Sequence, residues 1–251
     1  MQRLLDQKPR GSQLDMTVLA CSKGAEVYSM AWAIRSARPD MRLNMQAVDI
    51  SQEIVNFAAR GIYSLAESDA LHPSNKEAAK QRGEVNWNTS RDQNASLFER
   101  MTKEEIDVMF EVQDNQAKIK PWLREGITWV RGDASDSKFL EAIGPQEVVT
   151  ANRFLCHMEP AAAQSCLCML ARLVKPGGHL FVSGIDLDVR TSVARQMGWK
   201  PVIDRIREIH EGDVSIRRGW PLAYWGLEPF DDCRPDWQIR YASVFQVGSE
   251  A

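Results

Sequence analysis

A chain of 251 residues is long enough for one large domain, or for one domain with a sizeable insertion. Its 44% hydrophobic and 26% charged residues are those of an ordinary globular protein, and a net charge of -3 gives no bulk attraction for nucleic acid. The five cysteines (Cys21, Cys156, Cys166, Cys168 and Cys233) form no CxxC pair, so no metal site and reduced thiols in a cytoplasm are expected.

At the start of the chain, MQRLLDQKPRGSQLD has no apolar core of the secretory type. No later apolar run reaches the roughly 18 to 20 residues that span a bilayer, so no membrane partner is expected. MTVLAC (16–21) reads as a buried strand by its length and its Val and Leu content. From Ala25, the apolar residues Val27, Met30, Ala31 and Ile34 keep helical spacing, and RPD closes that helix at Pro39. LNMQAVDI (43–50) is a second strand with Asp49 near its end, and Ser51 is placed to cap a helix, QEIVNFAARG, that stops at Gly61. Strand, helix, strand, helix with short connections predicts a parallel, doubly wound sheet with helices on both faces.

The rhythm lapses between residues 64 and about 126, which are rich in Asn, Gln, Lys and Glu. NWNTSRDQNAS (86–96) reads as a loop, and TKEEIDVMFE as a short helix capped by Thr102 with Glu105 in the capping-box position. So long a stretch is expected to be an inserted cap near the strand ends, within a single domain spanning 1–251. The rhythm returns with GITWVRGD, a strand ending near Asp133. It continues through the helix DSKFLEAIG, the strand EVVTANRFLCHM, and a helix from Pro160 to the double glycine of VKPGG. HLFVSGID is the next strand, RTSVARQMG and IDRIREIHEG are helices, and RYASVFQV is a last strand expected antiparallel at one edge.

In open α/β sheets ligands bind beyond the carboxyl ends of the strands. There the chain places Cys21, Ser22, Gly24 and Glu26 after strand one, then Asp49 and Ile50, then Asp133 and Ala134, then Asn152 with His157 beyond it. A dinucleotide site wants G-x-G-x-x-G; this turn has only Gly24, and Glu26 would repel a diphosphate. Alone, Glu26 is an ordinary first-turn helix acid. With Asp49 and Asp133, it fits a ligand bearing an ammonium, a ribose and an adenine amine but no phosphate, which describes S-adenosyl-L-methionine.

ACSKGAEVYSMA resembles the AASTGEEPYSIA signature of the CheR-type S-adenosylmethionine-dependent methyltransferases. VDISQEIVNFAARGIYS is similar to that family's second signature, MTKEEIDVMFE to the segment before its small β-subdomain, and LVKPGGHLFVSG to the fifth-strand turn of class I methyltransferases. The resemblance covers roughly residues 16 to 190. It implies a Rossmann-like class I methyltransferase α/β sheet, mostly parallel with an antiparallel last strand, plus the inserted cap. It implies that Glu26 binds the donor's ammonium, Asp49 its ribose, Asp133 and Ala134 its adenine edge, and that Asn152 lies near its methionine end. Cys21, Ser22, Gly24 and Ile50 are expected to line the same site.

The departures bear on the acceptor. The family's helical receptor-binding segment has no counterpart in this sequence, Ala151 stands where the family has Arg, Cys156-His157 replace Tyr-Phe, and the tail is rich in Trp. These favour a small-molecule acceptor over the glutamate carboxyl methylation of the CheR enzymes, and the intact set of Glu26, Asp49, Asp133 and Asn152 argues against a non-catalytic donor-binding module. His157 is the candidate base, with a hydrogen-bonded structural histidine as the alternative. Arg91 is the candidate partner of an acceptor anion, and Trp220, Tyr224 and Trp225 are a candidate apolar wall.

Overall fold

The computed structural model of the chain describes residues 1–65, 98, 101–212 and 226–248. In chain order its first elements are α1 (Gln2–Asp6), β1 (Gln13–Leu19), α2 (Ala25–Ala37), β2 (Arg42–Asp49), α3 (Gln52–Arg60) and β3 (Ile62–Ser64). Next come α4 (Lys103–Met109), β4 (Phe110–Gln113), β5 (Gln116–Ile119), α5 (Pro121–Arg124), β6 (Ile127–Arg131), α6 (Ser137–Ile143) and β7 (Gln146–Asn152). The last are α7 (Pro160–Leu173), β8 (Val174–Ser183), α8 (Leu187–Gln196), β9 (Lys200–Pro201), α9 (Ile206–Glu211), α10 (Trp237–Tyr241) and β10 (Val244–Gln246). No helix among the described residues is long and apolar enough to cross a membrane.

These residues fall into two compact units. The larger comprises Gln13–Cys21, Arg42–Gln52 and Ile127–Ala251 and holds a seven-stranded sheet in the order β6-β2-β1-β7-β8-β10-β9. The first five strands of that order are mutually parallel, while β10 runs antiparallel to β8 and to β9. The chain winds outward from β1 to β6, then returns to start β7 on β1's other side, so the switch point lies between β1 and β7. Central strands of a parallel sheet are buried on both faces and read as continuous apolar runs. Accordingly Met16, Val18 and Leu19 of β1 and Val148, Val149 and Ala151 of β7 are buried. On one face, Val149, Ala151, Leu180 and Val182 pack in a core with Leu167 of α7 and Val193 of α8.

Several boundaries differ from the sequence reading, three of them for a clear physical reason. Strand β1 ends at Leu19 rather than Cys21, because Ala20 turns left-handed (φ 51), although the Cys21 N–H still donates to Val48 O at 2.9 Å. Helix α7 ends at Leu173 rather than at the double glycine; Pro176 disfavours a helical Lys175, and VKPGG opens β8 through a register break against β7. There a Cβ on Gly178 would lie 2.7 Å from Glu147 O, so the bulge admits only glycine. Finally, only Val244–Gln246 of RYASVFQV is strand, and it lies inside the sheet, with β9 outside it. Pro201 lacks an N–H and suits the edge position that β9 occupies.

The second unit comprises Met1–Ser12, Ser22–Met41 and Glu53–Gly126. Its three-stranded antiparallel sheet, β3-β5-β4, packs aromatic residues edge to face: Tyr63 lies 5.7 Å from Phe57, 6.2 Å from Phe98 and 6.0 Å from Phe110. Helix α4 carries the expected capping box, with Glu105 N–H donating to Thr102 Oγ1 at 3.2 Å and Thr102 N–H to Glu105 Oε2 at 2.8 Å. Arg38, just past α2, donates to the carbonyl oxygens of Leu5, Lys8 and Pro9 and fixes the N-terminal segment. The NWNTSRDQNAS stretch lies outside the described residues.

Candidate functional site

Parallel strands bring their carboxyl ends to one edge of the sheet. Within the larger unit, that edge carries Asp133 after β6, Asp49 closing β2, Cys21 after β1, Asn152 closing β7 and Ser183 closing β8, in lateral order. Asp49 is half-buried, and its Oδ1 accepts from Ser51 N–H at 3.1 Å. Ile50 follows it and is 64% exposed, an apolar side chain left in solvent beside an acid. Asp133 is exposed; its Oδ1 accepts from Ser135 N–H at 2.8 Å and Ser135 Oγ–H at 2.7 Å. The Ser135 hydroxyl, with the Ser135 N–H, holds the Asp133 carboxyl below its ordinary range, so it is ionised at neutral pH.

The loop from Asp133 is tied to α7. The Cys166 thiol, buried and pushed up to about 11 by that burial, donates to Ala134 O at 3.5 Å. Asn152 Oδ1 accepts from Ser183 Oγ at 2.8 Å, joining the ends of β7 and β8. His157 closes a single 3-10 turn (Leu155–His157) beyond β7 and is exposed.

The remaining turn residues belong to the second unit. Gly24, with φ 86, is the N-cap of α2, and Glu26 sits half-buried in that helix's first turn. Ser22 holds φ 48. The Tyr63 hydroxyl donates to Lys23 O at 2.7 Å, and Lys23 Nζ lies 5.4 Å from the Phe57 ring centroid. Arg91, Trp220, Tyr224 and Trp225 lie outside the described residues.

Sequence reasoning did not single out Ala20, Arg153, Ser183 or Tyr63. Five non-glycine residues among those described have positive φ, and three of them, Ala20, Ser22 and Arg153, adjoin the ends of β1 and β7. Each costs on the order of 1 kcal/mol or more, and such strain gathers at functional sites. A left-handed alanine or arginine leaves no mark in a pattern of hydrophobicity; Tyr63 alone had a signal, the Gly-Ile-Tyr of the second signature.

The donor set matches an adenosyl ligand without phosphate. A half-buried carboxylate at a strand end suits a ribose diol, the exposed Ile50 offers an apolar face for a base, and an ionised Asp133 offers an acceptor for an exocyclic amine.

Residues 1–92 match the model of the CheR methyltransferase SAM-binding domain. Among proteins of curated function, none matches the chain. Similar solved structures include magnesium protoporphyrin IX methyltransferase of Synechocystis PCC 6803 with bound SAM, at 14% identity over 80% of this chain and 66% of that one (TM-score 0.41). The N-methyltransferase NodS of Bradyrhizobium japonicum WM9, in complex with S-adenosyl-L-homocysteine, aligns at 10% identity over 80% of this chain and 74% of that one (TM-score 0.39). Precorrin 8W decarboxylase of Methanobacterium thermoautotrophicum aligns at 15% identity over 76% and 67% (TM-score 0.36). The chain spans about two-thirds of the length of the Synechocystis and Methanobacterium structures.

Proposed function

We propose that this S-adenosylmethionine-dependent methyltransferase, CheR-type in its donor-binding residues 1–92, methylates a small-molecule acceptor. The acceptor reading is supported by the chain's departures from the family, Ala151 for Arg and Cys156-His157 for Tyr-Phe, and by its Trp-rich tail. Gly226, with φ 65, passes so close to Ile185 that a Cβ would lie 1.6 Å from the Ile185 carbonyl oxygen. Trp220, Tyr224 and Trp225 precede Gly226 in the sequence and lie outside the described residues. Apolar side chains of that kind suit a small acceptor held away from water.

When bound, S-adenosylmethionine supplies a methyl group already activated on a sulfonium. The protein's work is then alignment and water exclusion. The resemblance assigns the ammonium to Glu26, the ribose hydroxyls to Asp49 and the adenine amine to Asp133, and the exposed Ile50 would meet the face of the base. Cys21, Ser22 and Gly24 shape the turn, Ala134 borders the adenine, and Asn152 stands at the methionine end. Where the acceptor must lose a proton, His157 is the base.

Calorimetry with S-adenosylhomocysteine and NAD, followed by transfer of labelled methyl to small-molecule extracts and to receptor-derived peptides, tests the reading. Binding of S-adenosylhomocysteine but not NAD, with label in small molecules, is expected. Efficient labelling of the peptides alone would replace it with protein carboxyl methylation. The small sheet β3-β5-β4, at the chain position of the family's β-subdomain, keeps that alternative worth testing.

A further inference from the structure

Arg153 directly follows Asn152 at the end of β7 and holds φ 58. That region suits glycine, asparagine or aspartate, and an arginine in it is uncommon. Two backbone hydrogen bonds lock the turn: Arg153 N–H donates to Ser183 O at 2.9 Å, and Cys156 N–H to Gly184 O at 2.9 Å. Gly184 makes the room. A Cβ there would stand 2.6 Å from Arg153 Cα and 3.1 Å from Arg153 Cγ, so the side chain sets out directly over the end of β8. The residue is exposed, and its charge opposes the burial that pushes the half-buried Cys156 thiol up. Beside it lie the Asn152–Ser183 hydrogen bond and the close pass of Gly226 over Ile185.

A turn that glycine would make with less strain instead keeps a long cation beside Gly184, at the carboxyl ends of β7 and β8. Resting on the small-molecule acceptor reading, we propose that Arg153 is a specificity-determining residue that binds the carboxylate of an anionic acceptor at the carboxyl ends of β7 and β8. The planar guanidinium fork matches a carboxylate with two parallel hydrogen bonds.

The test uses the full chain, methyl-labelled S-adenosylmethionine and a small-molecule extract separated by anion exchange. Label is expected in products from the anion-retained fraction. Arg153→Gly is expected to raise the half-saturating amount of that fraction at least tenfold. It should leave S-adenosylhomocysteine affinity within twofold and the melting temperature no lower, since φ 58 suits glycine. Arg153→Gln, which keeps the stem and removes the charge, should show the same loss, and Arg153→Lys a smaller one. Unchanged half-saturation in both Arg153→Gly and Arg153→Gln would overturn the proposal. Label confined to neutral or cationic fractions would overturn it while leaving the small-molecule reading standing; label confined to receptor-derived peptides would remove both.

Discussion

The Tyr63 hydroxyl donates to the Lys23 carbonyl oxygen across 2.7 Å, joining the small antiparallel sheet to the turn that opens α2. Tyr63 is buried among Phe57, Phe98 and Phe110, so its ring is positioned by packing and its hydroxyl has a fixed address. Lys23 precedes Gly24, the N-cap, and Glu26 lies one turn on.

Tyr63→Phe keeps the ring and removes only the hydroxyl. The lost hydrogen bond should cost about 0.5 to 1.5 kcal/mol of stability in urea unfolding. If the turn orients Glu26, S-adenosylhomocysteine affinity should fall as well, by a few-fold. A stability loss with unchanged affinity would make Tyr63 a packing residue only.

Glu26→Ala and Asp49→Ala each remove a charged acceptor from the proposed donor site. Each should weaken S-adenosylhomocysteine binding by about 1.5 to 3 kcal/mol, the range for hydrogen bonds to charged groups. Calorimetry reads this directly. Parental affinity in both variants would remove the site assignment.

Gly184→Ala and Gly198→Ala separate backbone strain from steric clash. Both glycines are left-handed, with φ 61 and 65, but a Cβ at Gly184 meets Arg153 backbone at 2.6 Å whereas one at Gly198 meets nothing within 4 Å. Gly198→Ala should cost about 1 kcal/mol from conformation alone. Gly184→Ala should cost at least about 2 kcal/mol more, a further fall of roughly 4 to 8 °C in melting temperature. Equal losses would mean that the contact between the turns that follow β7 and β8 gives way easily.

Much of this was readable in the sequence. The βα rhythm, the capping box at Thr102 and the acids Asp49 and Asp133 at strand ends follow from periodicity and turn chemistry, which are local. What was not readable depends on distant chain. The left-handed Arg153 is fixed by Ser183 and Gly184, residues thirty positions away in the sequence. The end of α7 was misplaced because two glycines look like a helix stop, whereas here they form a bulge against Glu147. RYASVFQV looked like an edge strand because nothing in Lys200–Pro201 announces a strand so short.

Asp15, near the start of β1, gives a prediction in pH. Its carboxylate pairs with Lys175 Nζ at 2.8 Å and also accepts from Asn44 and Gln13, and the Lys175 hydrogen bond chiefly lowers it to about 2. An unfolded aspartate titrates near 3.9, so the pair's stabilisation is fully present above about pH 4 and is lost as pH falls toward 2. Both groups are partly exposed, so Lys175→Met should cost only about 1 kcal/mol at pH 7. Thermal melts should show that deficit at pH 7 and almost none at pH 2. A deficit independent of pH would mean that the Lys175 stem, not its charge, is what matters.

Strand β10 sits between β8 and β9, yet it follows both in the chain. Until residues 244–246 emerge, β8 has an open edge and β9 has nothing to hold it to the sheet. A nascent chain stalled or cleaved before that point would display unpaired backbone along β8, ready to recruit a strand from another molecule. Premature termination before residue 244 is therefore a route to aggregation rather than to a merely shortened chain.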